Sequence, residues 1–203
     1  NTIRKRSMPL PDKTYPISEQ QAPQLYSIVR ELADRARIEK TPVLYLYQMN
    51  IMNAATLDNP EQPIIIITPP IVNRLSEREV TGILAHEIAH IQYRDTLFLQ
   101  LTQTVHIFTN IFARVAWIML ILFVPVFLFS QVHFPLSIVA IMFIAPIVSV
   151  VLQLAFSRLR EYNADLGAVE LTNDPDALAS ALEKIERVQS RFMNVLFPLK
   201  KKK

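Results

Sequence analysis

The sequence predicts an α+β fold in which a transmembrane helical hairpin interrupts a domain made of a small antiparallel sheet and several helices. Three observations carry that expectation. Short β-branched and aromatic runs, Val43 to Tyr47 and Ile64 to Thr68, precede a well-signalled helix that starts at Glu77. That helix contains His86-Glu87-Ile88-Ala89-His90, which sets two imidazoles one turn apart on one face. Two long apolar runs then fill most of the stretch from Val105 to Phe156, after which the chain returns to mixed character.

The bulk numbers limit the alternatives. A length of 203 residues suits one small domain plus membrane segments. Cysteine is absent, so no disulfide forms and any metal site must use His, Asp or Glu. The net charge of +3 is modest. Its basic residues cluster at Arg4-Lys5-Arg6 and at Lys200 to Lys203, as tails that could touch anionic lipid, the second run reading equally as an artefact of truncation. They do not form a nucleic-acid face, and no nucleic-acid partner is expected. Only two glycines occur, Gly82 and Gly167, which argues against a Gly-rich phosphate loop. The chain opens on Asn and without a signal-peptide pattern, as expected of a fragment or a processed form.

Taken in order, residues 1–16 are basic and punctuated by Pro9, Pro11 and Pro16, and read as a linker or arm. Ser18 and Gln21 have capping-box spacing, but Pro23 favours a helix start nearer Ala22. Leu25, Ile28, Val29, Leu32 and Ala36 keep helical spacing up to Thr41-Pro42. Val43 to Tyr47 is a strand, Asn53 to Thr56 a second, and Ile64 to Thr68 a third that is apolar enough to be covered on both faces. Such a sheet has a free edge, which either the protein itself covers or an extended peptide extends.

Pro69-Pro70 closes the sheet. Ser76 and Glu79 then form a capping box, with Leu75 and Val80 as a hydrophobic staple. Val80, Leu84, Ile88 and Ile91 make the apolar stripe of the helix. No strong breaker follows His90, so this helix is expected to run on toward the membrane. Val115 to Phe129, with the less polar turns before it, and Phe134 to Phe156 are the two spans. The loop between them carries no Lys or Arg, whereas Arg94, Arg114, Arg158 and Arg160 lie at the outer ends. By the positive-inside rule the flanking domain faces the cytoplasm. His106 and His133 read as structural or interfacial. In the last helix Asp174 caps, Pro175 takes the first position, and Leu178, Leu182, Ile185, Val188 and Phe192 form the buried stripe. Glu183-Lys184 and Glu186-Arg187 form its solvated face.

The candidate chemistry centres on His86 and His90. Two histidines at this spacing can share one tetrahedral zinc, and the adjacent Glu87 is then close enough to an activated water to act as its base. Such a site needs a third protein ligand and a group that fixes the tautomer of a ligand imidazole. Glu161 and Asp165, four apart where the second span ends, together answer both needs. The alternative for this pair is a surface face that neutralises Arg158 and Arg160.

Three blocks carry a family resemblance. The stretch from Leu75 through Glu77-Arg78-Glu79-Val80 to His86-Glu87-Ile88-Ala89-His90 and Arg94-Asp95 is followed by two apolar spans. The stretch from Ser157-Arg158 through Arg160-Glu161-Tyr162-Asn163-Ala164-Asp165 to Ala181-Leu182-Glu183-Lys184 comes after them. Over residues 43–190 this pattern resembles the HtpX-type membrane zinc peptidases, relatives of the CAAX prenyl proteases. The resemblance implies a zincin-like metalloprotease domain and one Zn2+ per chain, held by His86, His90 and Glu161. It implies Glu87 as base and Asp165 as partner of a ligand imidazole. Asn53-Ala54 resembles the substrate-strand motif of the class. Family members usually have further membrane helices upstream, and this sequence starts after any such segment; it shows only Phe197-Pro198-Leu199 where a His-Pro-Pro-like stretch is usual.

The expected organisation is therefore a basic arm at 1–17, a first protease segment at 18–104, the hairpin at 105–156 and a second protease segment at 157–203. The expected function is membrane-associated, zinc-dependent endopeptidase activity on polypeptides, chiefly membrane proteins, in quality control at the cell's inner membrane. A CAAX-type prenyl-protein protease is the second reading, and would cleave prenylated peptides but not unfolded chains. A non-catalytic adaptor or chaperone is the third, and would hold no zinc. Oligomeric state is not encoded in any feature of the sequence.

Overall fold

The computed structural model describes residues 10–57, 59, 61–129 and 136–196. The chain divides into two compact units. One holds the residues up to Arg94 together with those from Asn163 onward, and the other runs from Asp95 to Tyr162.

The first unit is built around α3 (Glu77–Gln92). Its start is the expected capping box: the Ser76 hydroxyl accepts from the Glu79 N–H, and the Glu79 carboxylate accepts from the Ser76 N–H at 2.9 Å. The predicted stripe of Val80, Leu84, Ile88 and Ile91 is buried, but so are Ile83, Ala85 and Ala89. Burial on nearly every side makes α3 the central helix of the core rather than an amphipathic cover. Helices α1 (Pro23–Arg35) and α6 (Pro175–Leu196) contribute Val29, Leu32, Leu178 and Ala181 to that core, and the sheet contributes Leu44, Ile65 and Ile67.

The sheet differs from the expectation. It is mixed, not antiparallel. Strands β1 (Thr14–Pro16), β2 (Val43–Tyr47), β3 (Ala54–Leu57) and β4 (Ile64–Ile67) lie in the order β1-β2-β4-β3. β2 and β4 run parallel, while β1 pairs antiparallel with β2 and β3 antiparallel with β4. The four isoleucines of β4 need cover on both faces, so this strand returns into the interior position beside β2. The less apolar Ala54-Ala55-Thr56-Leu57 is left at the edge. Residues 14–16, read from sequence as part of an arm, form the opposite edge strand. Pro69-Pro70 does more than end the sheet: it starts the short helix α2 (Pro69–Arg74), where a missing N–H costs nothing.

Helix ends are set without glycine. Arg37 and Arg94 follow α1 and α3 with φ of 56° and 54°, and Asn173 sits at 52°. After α1 the Ile38 N–H bonds the Ala33 carbonyl and the Arg37 N–H the Asp34 carbonyl, a Schellman pattern. After α3 the Arg94 N–H bonds the Ile91 carbonyl. The helix that was expected to run on from His90 therefore stops at Gln92, and a new one begins at Asp95.

Both glycines lie where another helix crosses α3. A Cβ on Gly82 would stand 3.2 Å from the Leu178 backbone of α6, and one on Gly167 would stand 2.9 Å from the Ala89 Cβ. Asp174 caps α6 through the Ala177 N–H and takes two 2.7 Å bonds from Arg78, tying the first turns of α3 and α6 together. Within α6 the buried positions are Ala177, Leu178 and Ala181, while Leu182, expected in the stripe, is exposed.

The second unit consists of α4 (Asp95–Phe129) and most of α5 (Leu136–Thr172). Gln100–Leu122 and Phe143–Thr172 are long and apolar enough to cross a membrane. Inside this pair the His106 ring nitrogens lie 2.9 Å from the Asn110 amide and 3.2 Å from that of Gln153, which also donates to Ser149. His133 and the turn around it lie outside the described residues, as do the C-terminal lysines and Phe197-Pro198-Leu199.

Candidate metal centre

The capping box fixes where α3 begins, and so fixes which way His86 and His90 project. Glu79 is the anchor. Only 4% exposed, it accepts from the Ser180 hydroxyl at 2.6 Å and from the Lys184 ammonium at 2.7 Å. Lys184 first, then Ser180, hold its carboxyl down to about 2 from an ordinary 4.5, against the opposing effect of burial. Lys184 is thus not simply part of a solvated face. It joins α6 to the first turn of the histidine helix.

One turn of α3 brings the two Nε2 atoms of His86 and His90 to 3.1 Å, with the rings nearly perpendicular at 88°. The other ring nitrogen of His86, Nδ1, lies 3.0 Å from Asp165 Oδ1. A carboxylate there favours the proton on Nδ1 and turns the Nε2 lone pair of His86 toward His90. Glu161 lies one turn before Asp165 on α5. A ligand atom of each of His86, His90 and Glu161 falls within 4.8 Å of the others.

This donor set fits a divalent cation. Two nitrogen ligands on one tetrahedral zinc, each at ~2.05 Å, stand ~3.3 Å apart. The spacing of the two imidazoles is close to that value. Two imidazoles and a carboxylate, with no thiolate, are ligands suited to zinc and its neighbours. Of these residues the Glu161 side chain is about half exposed, whereas that of His86 is more enclosed.

Glu87, between the two histidines in sequence, is only 6% exposed. Its Oε2 accepts a 2.7 Å hydrogen bond from the Thr56 hydroxyl, which also lies 3.1 Å from the Glu87 carbonyl oxygen. Thr56 belongs to the edge strand β3 and was not singled out from sequence. Its only signal there was a hydroxyl one position away in the strand's alternation from Ala55. Asn53 precedes the same strand. Its N–H donates to the Thr68 hydroxyl at 3.0 Å and its carbonyl accepts from the Thr68 N–H at 3.1 Å. Since Asn53 bonds toward β4, alternation turns the main-chain groups of Ala54 and Thr56 to the free side of β3.

Comparison with known proteins agrees with this geometry. The model of peptidase family M48 matches residues 19–197. The protease HtpX homologues of Burkholderia mallei (strain SAVP1) and Burkholderia pseudomallei (strain K96243) are each 39% identical over 175 residues, covering 86% of this chain and 60% of the relative. The chain thus spans about three fifths of the length of these curated relatives. Among solved structures, Ste24p of S. mikatae matches with a TM-score of 0.51 and 21% identity, over 87% of this chain and 44% of that one, a likeness of fold. By the extent of the family match, the chain is a member of peptidase family M48.

Proposed function

We propose that the chain is the catalytic part of a membrane-bound zinc endopeptidase. The observation that carries the reading is the 3.1 Å approach of two imidazole nitrogens, with the far nitrogen of His86 on a carboxylate. In this reading His86, His90 and Glu161 hold one zinc ion per chain, and Asp165 keeps His86 in the ligating tautomer. Zinc, when bound, polarises the scissile carbonyl and lowers the pKa of an attacking water to ~7.

The chain's own residues do the rest. Glu87 accepts the proton of the attacking water and returns it to the departing amine. The Thr56 hydroxyl holds the Glu87 carboxylate in one rotamer, so no reorientation is needed between the two transfers. The free side of β3, entered at Asn53 and Ala54, pairs with the extended peptide through main-chain groups. One residue, Thr56, thereby links the register of the bound peptide to the position of the base.

The two long apolar helices support placement in a bilayer, and the arginines at their ends support a cytoplasmic site at the inner membrane. Substrates are then membrane proteins or their exposed loops, which fits a role in quality control.

The test compares variants in detergent with the parent protein. Glu87→Gln is expected to keep one zinc per chain while hydrolysis of an unfolded substrate falls by a factor of about 100 or more. Undiminished cleavage by this variant would sink the assignment. Thr56→Val is expected to lower kcat about tenfold with zinc content and KM little changed, as loss of a hydrogen bond to a charged group predicts. Thr56→Ser should restore the rate. Equal rates for the Val and Ser variants would remove Thr56 from the mechanism.

A further inference from the structure

A second group of charged side chains lies beside the start of β3, outside the metal centre. Arg74 ends α2, and Lys184 and Arg187 lie one turn apart on α6. With Met52 and Val188 they line a cavity of about 210 Å³. Val188 gives the cavity an apolar side, backed by Met52, which is itself only 1% exposed, whereas the three basic residues give it a cationic rim. The Gln189 amide reaches the Met52 carbonyl at 3.4 Å, joining α6 to the residue just ahead of Asn53 and Ala54.

The charges of the rim are unequally balanced. Lys184 lies 2.7 Å from the buried Glu79, and Arg187 lies 2.5 Å from the exposed Glu183. Arg74 has no carboxylate within ion-pair distance among the described residues. The cavity thus carries a surplus positive charge, centred on Arg74, and an apolar side.

Position supplies the rest. Thr56 contacts Glu87, so the scissile bond of a peptide paired with β3 would lie near Thr56. Met52 precedes Thr56 by four residues, which is about 13 Å of extended chain. A paired peptide therefore brings a side chain about four residues from the scissile bond to the mouth of this cavity. The side chain that matches is short, with an apolar stem and an anionic head.

We infer that Arg74, Lys184 and Arg187 form a specificity subsite for an acidic residue of the substrate, about four residues from the bond that is cut. A glutamate would lay its methylenes along Val188 and its carboxylate against Arg74. This inference rests on the pairing of substrate with β3 proposed above. An anionic lipid headgroup would meet the same cations, but only a peptide on β3 accounts for the place of the cavity at the end of that strand.

The test measures binding to the Glu87→Gln protein in detergent, loaded with zinc, so that no cleavage intervenes. Fluorescent peptides carry a single Glu, Gln or Lys at successive positions around a bond that the parent enzyme cuts. At one position about four residues from that bond, Glu should bind about two- to fivefold tighter than Gln, the size of an exposed ion pair, and Lys weaker than Gln. The preference should fade as salt rises from about 0.05 M to about 0.5 M. Arg74→Glu should reverse the order of Glu and Lys.

Equal binding of Glu and Lys peptides at every position would overturn the subsite. So would a Glu preference that persists in Arg74→Glu. Arg74-dependent binding of phosphatidylglycerol vesicles, with no dependence on peptide charge, would overturn it in favour of lipid. Ala54→Pro removes an N–H from the free side of β3 and separates the two claims. Peptide binding that survives it overturns the strand pairing, whereas binding that needs Ala54 but ignores charge overturns the subsite alone.

Discussion

Helices α3 and α4 follow one another in the chain, separated by two residues, and they meet opposite surroundings. α3 buries two carboxylates, Glu79 and Glu87, among Leu84, Ile88 and their neighbours. α4 leaves Leu101, Phe108, Ile118 and Ile121 more than half exposed. Burying a carboxylate is costly unless hydrogen bonds answer it, and each of these two has a donor: Lys184 and Ser180 for Glu79, Thr56 for Glu87. Exposing that many large apolar side chains to water is costly too, and nothing among the described residues of α4 and α5 offsets it. Polarity alone therefore does not tell inside from outside in this chain. In the first unit the buried carboxylates are held by donors and fix the helix that bears the two histidines. In the second the apolar groups outside define the solvent, and a bilayer is the solvent that suits them.

The largest effect is expected from a charge placed on the exposed apolar face of α4. Ile118→Asp should cost about 3 kcal/mol of membrane insertion and shift the protein out of the membrane fraction. If α4 were a solvated helix, the same change would be neutral and would raise solubility. Next in size is Gly167→Ala. Its Cβ would meet the Ala89 Cβ at 2.9 Å, a contact that no rotamer can relieve, and the Tyr93 ring at 3.2 Å. A loss of about 1–3 kcal/mol in thermal or denaturant unfolding is expected, as for overpacked cores. Zinc affinity should fall as well, because Ala89 lies between the two histidines and Asp165 lies two residues before Gly167.

The smallest effect concerns Glu79. Its folded pKa of about 2 lies below its ordinary 4.5, so the deprotonated form is favoured by folding. The stability it contributes is complete above pH about 4.5 and is lost as pH falls toward about 2. Glu79→Gln should flatten that acid limb in unfolding measured against pH. At neutral pH it should cost only about 1 kcal/mol, the value of a weakened cap. An acid limb unchanged by the substitution would show that other carboxylates set it.

Much of this could be read from the sequence where a signal is local. The Ser76–Glu79 box, the stripe on α3, Asp174 and Pro175 at the start of α6, and the continuation of the second apolar run through Glu161 to Asp165 all depend on spacing within one helix. What depends on partners distant in sequence could not be read. The parallel pairing of β2 and β4 follows from competition among strands for the interior, which no single strand records. Lys184 looked like a solvated charge because Glu79 is 105 positions away. Thr56 looked like any strand threonine because its partner lies 31 positions on. The end of α3 was missed for another reason: the left-handed residue that stops it is an arginine, and the usual sign for such a stop is glycine.

That substitution of arginine and asparagine for glycine at helix ends alters the balance between the folded and unfolded chains. Holding Arg37 or Arg94 at positive φ costs the native state about 1 kcal/mol or slightly more. A glycine there would avoid the strain but would give the unfolded chain more conformations to lose, a penalty of about 0.4–1 kcal/mol. The two terms nearly cancel. Each stop is therefore close to neutral in free energy, and the chain's two glycines remain for the two places where a helix must approach α3 more closely than a methyl group allows.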